Sequence, residues 1–130
     1  MRYLLDTHTF IWWAGNPEKL SSTALNVCEN RENVLFLSCV SVWEMQIKAQ
    51  IGKLRLAFSV KELVEQHRIF NRLEILAIHL SHIYRLEKLP MHHNDPFDRM
   101  LISQAIEENL ILISKDTAFS NYDVNILWQS

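Results

Sequence analysis

The chain has 130 residues, a length that fits one ordinary domain and is sufficient to bury a hydrophobic core. Hydrophobic residues make up 48% of it, and only 2 Gly and 3 Pro interrupt them, which excludes a disordered chain and favours a compact fold. The apolar runs are far shorter than a membrane span, and the formal net charge of −2 argues against tight, non-specific binding of long nucleic-acid duplexes.

Short apolar runs bounded by polar residues predict strands that are buried on both faces. The predicted strands are Tyr3–Leu5, Val34–Leu37, Ile75–Ile78, Leu110–Ile113 and Val124–Trp128. Segments with helical spacing lie between them, and Met91–Asn94 is predicted to be a polar loop. The predicted helices are Thr7–Ala14, a segment capped by Ser21 through about Asn30, Ser41 to about Gln50, a segment capped by Ser59 through about Phe70, Ser81–Lys88, and Asp95-Pro96 to about Asn109.

Signals at the helix ends support this division of the chain. Pro96 follows Asp95 at the first helical position, where proline is favoured, and Gly52 is the predicted C-terminal glycine of the helix that begins near Ser41. Strands that alternate with amphipathic helices predict a three-layer α/β/α fold, in which a central parallel sheet of about five strands is covered on both faces. No repeat or linker divides the sequence, so we expect a single domain over residues 1–130.

Acidic residues occupy the positions where a ligand is expected in such a fold. Asp6 and Asp116 each fall just past a predicted strand, and Glu44 and Asp98 lie in the first turn of predicted helices. Ligands of open α/β sheets bind outside the carboxyl ends of the strands. Carboxylates that lie close together repel each other unless a cation holds them, and oxygen ligands suit Mg²⁺ or Mn²⁺. We therefore predict that these four acids form the divalent-metal site of a nuclease.

Each acid also has a purely structural interpretation. Ser41-Val42-Trp43-Glu44 matches a capping box, with Glu44 as the third helical residue. Asp98 would occupy the third position of the helix capped by Asp95, and Asp116 could cap the short segment after it. Any one of these acids is ordinary in its place. The metal site is favoured because all four follow the same topology.

Four sequence motifs resemble, in order and spacing, those of PIN-domain ribonucleases, and in particular of the VapC-like toxins of type II toxin–antitoxin pairs. The motifs are LLDTH, SVWEMQIKAQIGKL, HHNDPFDRMLISQA and ILISKD, and the resemblance covers essentially the whole chain. It implies a sheet of strand order 3-2-1-4-5 with Asp6 on the central strand. It also implies a Mg²⁺- or Mn²⁺-dependent endoribonuclease, which is a hydrolase. The catalytic and metal-binding residues would be Asp6, Glu44, Asp98 and Asp116, and the substrate-binding residues would be Thr7, Ser114, Lys48 and Arg99.

The resemblance also implies partners. A cognate antitoxin protein would bind the surface formed by the early helices, with Trp12 and Trp13 as plausible anchors, and we expect an RNA substrate and a homodimer. We expect a cytoplasmic protein without a membrane partner, because Asp6 interrupts the N-terminal apolar run before a signal-peptide core could form. Cys28 and Cys39 form no CxxC pair and fit reduced, buried thiols better than a single bridge.

Other acidic α/β folds fit the sequence less well. A haloacid-dehalogenase-type phosphatase needs an aspartate two residues after the first, where this chain has His8. A phosphorelay receiver domain needs an aspartate at the end of the third strand, and Ile78-His79-Leu80 supplies none. The alternative that remains is a catalytically silent PIN-like module that binds RNA or protein, which an assay of metal dependence would distinguish.

Overall fold

The computed structural model of the protein describes residues 1–92 and 95–129. Five strands form one parallel sheet in the order β3-β2-β1-β4-β5. The strands are β1 (Arg2–Leu5), β2 (Val34–Ser38), β3 (Glu74–Leu76), β4 (Ile111–Ile113) and β5 (Ile126–Leu127). The predicted fold class and strand order are confirmed. The order reverses at β1, so the central strand ends where such sheets bind their ligands.

Helices connect the strands in the predicted order. They are α1 (Thr7–Gly15), α2 (Ser22–Glu29), α3 (Cys39–Gln50), α4 (Val60–Phe70), α5 (Leu80–Arg85) and α6 (Pro96–Glu107), with 3₁₀ segments at Pro17–Lys19, Leu86–Lys88 and Thr117–Asn121. The predicted third strand ends two residues early, and the predicted helix Ser81–Lys88 divides into α5 and a 3₁₀ segment. The predicted loop Met91–Asn94 lies partly outside the described residues, and a single domain over the whole chain stays a prediction.

The sheet separates two hydrophobic cores, which explains why its central strand is apolar throughout. Tyr3 and Leu5 of β1 face one core and Leu4 faces the other, as expected when side chains alternate along a strand. The helices supply the outer walls of the two cores. The first core contains Phe10 of α1, Ala24 of α2 and Val64 of α4, and the second contains Leu101, Ile102 and Ala105 of α6.

Most helix ends are formed by the predicted residues. The Ser21 hydroxyl accepts the Ala24 N–H, and Ser59 forms a reciprocal capping box with Glu62. Asp95 caps α6, and Gly52 follows α3 with a φ of +77°, a left-handed conformation that glycine adopts without strain. Both cysteines are free thiols, as predicted.

The start of α3 differs from the prediction. Ser38, at the end of β2, is the N-cap and accepts the Val40 N–H at 3.0 Å, so the helix begins at Cys39. Ser41 is therefore already helical, and Glu44 lies in the second turn. The predicted capping box of Ser41 and Glu44 is wrong, because the strand leads directly into the helix and Ser38 has taken the cap position.

The face of α5 that packs on α6 is held by a buried histidine. His82 Nε2 lies 2.8 Å from Glu108 Oε2, and its Nδ1 accepts the His79 N–H at 3.0 Å. The opposite side of α5 is exposed and apolar at Leu80, Ile83 and Tyr84. Among the described residues, no helix is long and apolar enough to cross a membrane.

Candidate active site

Asp6 is a buried carboxylate at the carboxyl end of the central strand. Its backbone N–H donates to the Ile113 carbonyl at 3.1 Å, and its side chain caps α1 by accepting the Thr9 N–H at 2.8 Å. The other carboxylate oxygen accepts the Ser114 hydroxyl at 2.5 Å, and the residue is only 6% exposed. Burial raises the pKa of the Asp6 carboxyl above its ordinary value, and the hydrogen bonds from Ser114 and Thr9 lower it only in part. Burial therefore destabilises the charged form of Asp6 more than these hydrogen bonds stabilise it.

Asp116 joins Asp6 through the same serine. The Ser114 hydroxyl oxygen, while donating to Asp6, accepts the Asp116 N–H at 3.0 Å. Asp116 is exposed and also caps the 3₁₀ segment after it, since its Oδ1 accepts the Ala118 N–H at 2.9 Å. The predicted capping role is therefore confirmed. Both acids line one cavity of about 260 Å³, whose other walls are His8, Trp12 and Lys115.

Glu44 is buried on α3, and its contacts differ from those of a capping residue. Its Oε1 accepts the Thr7 hydroxyl at 2.7 Å, and its Oε2 lies 2.6 Å from Lys48 Nζ in an ion pair one turn along α3. Thr7 also shares a hydrogen bond of 2.9 Å with the Ser41 hydroxyl. Thr7, the residue after Asp6, therefore holds the Glu44 carboxylate in place.

Asp98 occupies the third position of α6, as predicted. Its N–H donates to the carboxylate of the cap residue Asp95 at 3.2 Å, and the residue is half-buried. The neighbouring Phe97 ring lies edge-on to Trp43 at 5.3 Å, so the first turn of α6 contacts α3, the helix that carries Glu44.

Arg99, the residue after Asp98, contacts the backbone that precedes α6. Its guanidinium donates to the carbonyls of Pro90 at 2.9 Å and Leu86 at 3.1 Å. These bonds tie α6 to Leu86 in the 3₁₀ segment and to Pro90 after it. A substrate contact by Arg99 stays a prediction.

The structure brings part of the predicted constellation together. Asp6 and Asp116 share a cavity, and Glu44 accepts a hydrogen bond from Thr7, the residue that follows Asp6. In the described ranges 1–92 and 95–129, no group of three or more His, Cys, Asp or Glu residues is placed to hold a metal ion. Convergence of all four acids therefore stays a prediction. The donor chemistry nevertheless fits Mg²⁺, which keeps several of its waters and commonly takes one or two carboxylates together with substrate phosphates.

Some residues of the site were not predicted from the sequence. The Thr9 hydroxyl donates to the Ile113 carbonyl at 2.9 Å while its N–H holds Asp6, so it ties α1 to β4. Its position three residues after Asp6 was the available signal, since that is where an N-cap aspartate finds its donor. His8 lines the cavity with Trp12, and only its place in the first turn of α1, next to Asp6, indicated this.

Comparison with known proteins identifies the family. Residues 3–125 match the family model described as the PIN domain. The chain belongs to the PIN-domain family. It is 29% identical to Ribonuclease VapC22 of Mycobacterium tuberculosis over 114 residues, which are 87% of this chain and 85% of that protein. The predicted resemblance to PIN-domain proteins of the VapC group is confirmed.

Solved structures share the fold of this PIN domain. The VapBC2 structure from Rickettsia felis, bound to a DNA fragment from its promoter, gives a TM-score of 0.74 at 18% identity and covers 99% of this chain and 100% of that one. A DNA-bound VapBC from Salmonella typhimurium gives 0.70 at 16% identity and covers 98% and 97%. At these identities the likeness establishes the shared fold.

Replacing Asp6 by Asn tests whether the site carries a stability cost. Because burial opposes the charge of Asp6, we expect the metal-free Asp6→Asn protein to be more stable than wild type by about 1 kcal/mol, as is common when active-site residues are replaced. Urea unfolding with EDTA present measures the change. Asp95→Asn is the control and should leave stability unchanged, since Asn caps a helix about as well as Asp. A clearly destabilised Asp6→Asn protein would assign Asp6 a structural role.

Proposed function

We propose that this PIN-domain protein is a Mg²⁺- or Mn²⁺-dependent endoribonuclease and the toxin of a type II toxin–antitoxin pair, acting in the cytoplasm. The observation that carries the proposal is the buried Asp6 carboxylate, which lies beside Asp116 at the carboxyl end of the central strand. The 29% identity to Ribonuclease VapC22 supports the choice of RNA as the substrate class.

The contacts of the acids support the following proposed roles. Asp6 and Asp116 would hold the metal ion, with Glu44 and Asp98 contributing directly or through water. When bound, the ion supplies an activated water and offsets negative charge on the phosphodiester. Ser114 orients the Asp6 carboxylate by its hydrogen bond of 2.5 Å.

Two cationic side chains border this acidic set. Lys48, together with Thr7, fixes the direction of the Glu44 carboxylate. Lys115 lines the cavity with its ammonium 5.9 Å from the Trp12 ring, where it can attract a substrate phosphate. Positive charge at this position compensates part of the repulsion that RNA meets at an acidic site.

Single-stranded or loop RNA is the proposed substrate form. An A-form duplex hides its base edges from side chains, whereas an unpaired nucleotide can enter a small cavity and stack on an aromatic ring. Trp12, at the wall of the Asp6 cavity, is half-buried and can offer such a ring. The net charge of −2 also disfavours broad contact with a long duplex.

A catalytically silent RNA- or protein-binding module remains the second candidate. One observation favours it: both carboxylate oxygens of Glu44 are already engaged by Thr7 and Lys48. In that case the acids would be structural, and removal of metal would change neither binding nor stability.

The nuclease proposal predicts cleavage of single-stranded RNA that needs Mg²⁺ or Mn²⁺. EDTA should abolish the activity, and Asp6→Asn should lower the rate by more than about a hundredfold, because even outer-shell changes at metal sites cost up to that factor. Mg²⁺ should also raise the melting temperature of wild type and leave that of Asp6→Asn unchanged, since a ligand stabilises the state that binds it.

The matched control for this experiment is Asp95→Asn, which alters a cap carboxylate next to the site. It should retain both cleavage and the response to Mg²⁺, because asparagine replaces the cap. Cleavage by carefully purified protein that survives both EDTA and Asp6→Asn would contradict the metal mechanism. A wild type without cleavage and without a metal response would favour the silent module.

The toxin proposal predicts that the chain arrests growth when expressed without its antitoxin. Asp6→Asn should relieve the arrest at equal protein level, and co-expression of the cognate antitoxin should do the same for wild type. Colony counts and quantitative blots measure both. Equal growth of wild type and Asp6→Asn at matched expression would count against a toxin.

We propose that the antitoxin contacts α1 near Trp12 and Trp13, which pack against the first core and are half-buried, since aromatic residues dominate interface hot spots.

We also propose that the protein forms a homodimer through α5. Leu80, Ile83 and Tyr84 follow one another at helical spacing on one face, and they are 63%, 44% and 65% exposed. A twofold interface pairs one patch with its own copy, so a single apolar face of this kind is sufficient. Light scattering should give twice the chain mass of 15.4 kDa, and Ile83→Glu should give the monomer mass while the melting temperature stays close to wild type. A monomeric wild type at micromolar concentration would exclude this dimer.

A further inference from the structure

A second cavity of about 450 Å³ adjoins the candidate active site. The two cavities share His8 and Trp12 as walls, so they lie side by side at these rings. The second cavity is lined by the side chains of Lys19, Lys48 and Lys53. Among the described residues that line it there is no Asp or Glu. We refer to these three lysines, with His8 and Trp12, as the basic cleft.

Two turns of the chain assemble the basic cleft. After α3, Gly52 adopts its left-handed conformation, and the N–H of Lys53 then donates to the Lys48 carbonyl at 2.9 Å. This reversal places Lys53 beside Lys48 at the end of the helix. After α1, the 3₁₀ segment is closed by the Lys19 N–H, which donates to the Asn16 carbonyl at 2.9 Å and brings Lys19 to the same cavity.

The lysines of the basic cleft differ in how their charge is used. Lys48 is paired with Glu44 at 2.6 Å. Lys19 and Lys53 are exposed, and no ion pair within the described part of the chain involves either of them. Their ammonium groups are therefore available to an anion. The net charge of −2 for the whole chain therefore does not reveal the local positive charge of Lys19 and Lys53 beside the acidic cavity.

We propose that the basic cleft binds the phosphates of single-stranded RNA on one side of the bond to be cleaved, and that a base stacks on Trp12 where the strand enters the Asp6 cavity. This inference rests on the nuclease function proposed above. Lysines that follow a groove, combined with an aromatic ring at its end, are the combination with which proteins hold single strands. An acidic protein segment would need the lysines but would gain little from a ring shared with the Asp6 cavity.

Binding of a fluorescein-labelled single-stranded RNA tests the basic cleft. All variants carry Asp6→Asn so that the RNA stays intact, and fluorescence anisotropy is measured over a series of salt concentrations. Lys19→Gln with Lys53→Gln should weaken binding about tenfold and reduce the slope of log K against log salt by about 1.4, the value for two lost phosphate contacts at about 0.7 each on a single strand. The control pair is Lys61→Gln with Lys88→Gln, two exposed lysines outside the basic cleft, which should change neither quantity.

Trp12 is tested separately because it also packs against the first core. Trp12→Phe should keep most of the RNA affinity, and Trp12→Leu should lose about tenfold, the order expected when one stacked base loses its platform. Thermal melts of both variants establish that they are folded, and the salt slope should stay unchanged because stacking releases no counterions. Equal affinity of the Leu and Phe variants would remove the stacking contact from the proposal.

The outcomes separate the basic cleft from the nuclease function. Wild-type cleavage together with unchanged RNA binding by the Lys19 and Lys53 variant would overturn the basic cleft and leave the nuclease standing. An absence of cleavage together with binding that depends on these lysines would support the basic cleft and overturn the nuclease. If the variant binds RNA normally but loses binding of poly-glutamate, the cleft takes an acidic protein segment and the RNA proposal is wrong. A salt slope that falls equally in the control pair would also overturn it, since the effect would then come from net charge alone.

Discussion

The register of the central strand fixes the chemistry of the site. Leu5 pairs with Leu37 on one side and with Ile113 on the other, so the next residue of β1, Asp6, lies level with Ser38 and Ser114. The Ser114 hydroxyl can therefore reach the Asp6 carboxylate at 2.5 Å. A slip of one residue would turn the apolar side chains of β1 to the wrong cores and would also separate this pair. Burial of apolar side chains on both faces of the sheet thus sets the position of the Asp6 carboxylate, although burial itself disfavours a charged group.

The same register determines where Glu44 lies. Because β1 and β2 end level with each other, α1 and α3 begin side by side at one edge of the sheet. Thr7, in the first turn of α1, then meets Ser41 and Glu44 on the facing side of α3. A buried carboxylate is tolerated there because the topology places hydrogen-bonding and charged partners within reach of it, and buried charges require such partners. The position of Glu44 is therefore set by the strands, although the residue lies on a helix.

Local patterns were sufficient to predict most of the fold. Strands, helix caps and the glycine after α3 could be predicted because each depends on a few neighbouring residues. The start of α3 could not, since Ser38 and Ser41 are both good caps and only the end of β2 selects between them. Glu44 and Lys48 have the spacing of a helical ion pair. The sequence alone does not tell whether the oxygens of such a carboxylate contact a lysine or bind a metal.

Contacts between distant segments were harder to predict. The approach of Lys19 to Lys53 depends on two turns and on the packing of α1 against α3, and no periodicity records it. Asp98 illustrates a related limit. Its place in the first turn of α6 was predictable from Asp95 and Pro96, whereas its distance from the other acids depends on how α6 packs against α3. Sequence patterns locate a residue on its element more readily than they locate one element against another.

The net charge of −2 is a poor guide to the partners of this protein because the charges are segregated. Asp6 and Asp116 bring two carboxylates to one cavity, and Lys19 and Lys53 make the adjoining cavity positive. The ion pair of Lys48 with Glu44 contributes almost no net charge to the second cavity, which Lys48 also lines. The charges of the carboxylates and of the lysines largely cancel in the net charge, yet each group acts at short range, where salt screens its field least. A polyanion that approaches this surface would therefore respond to the lysines first and to the acids only once a cation compensates them.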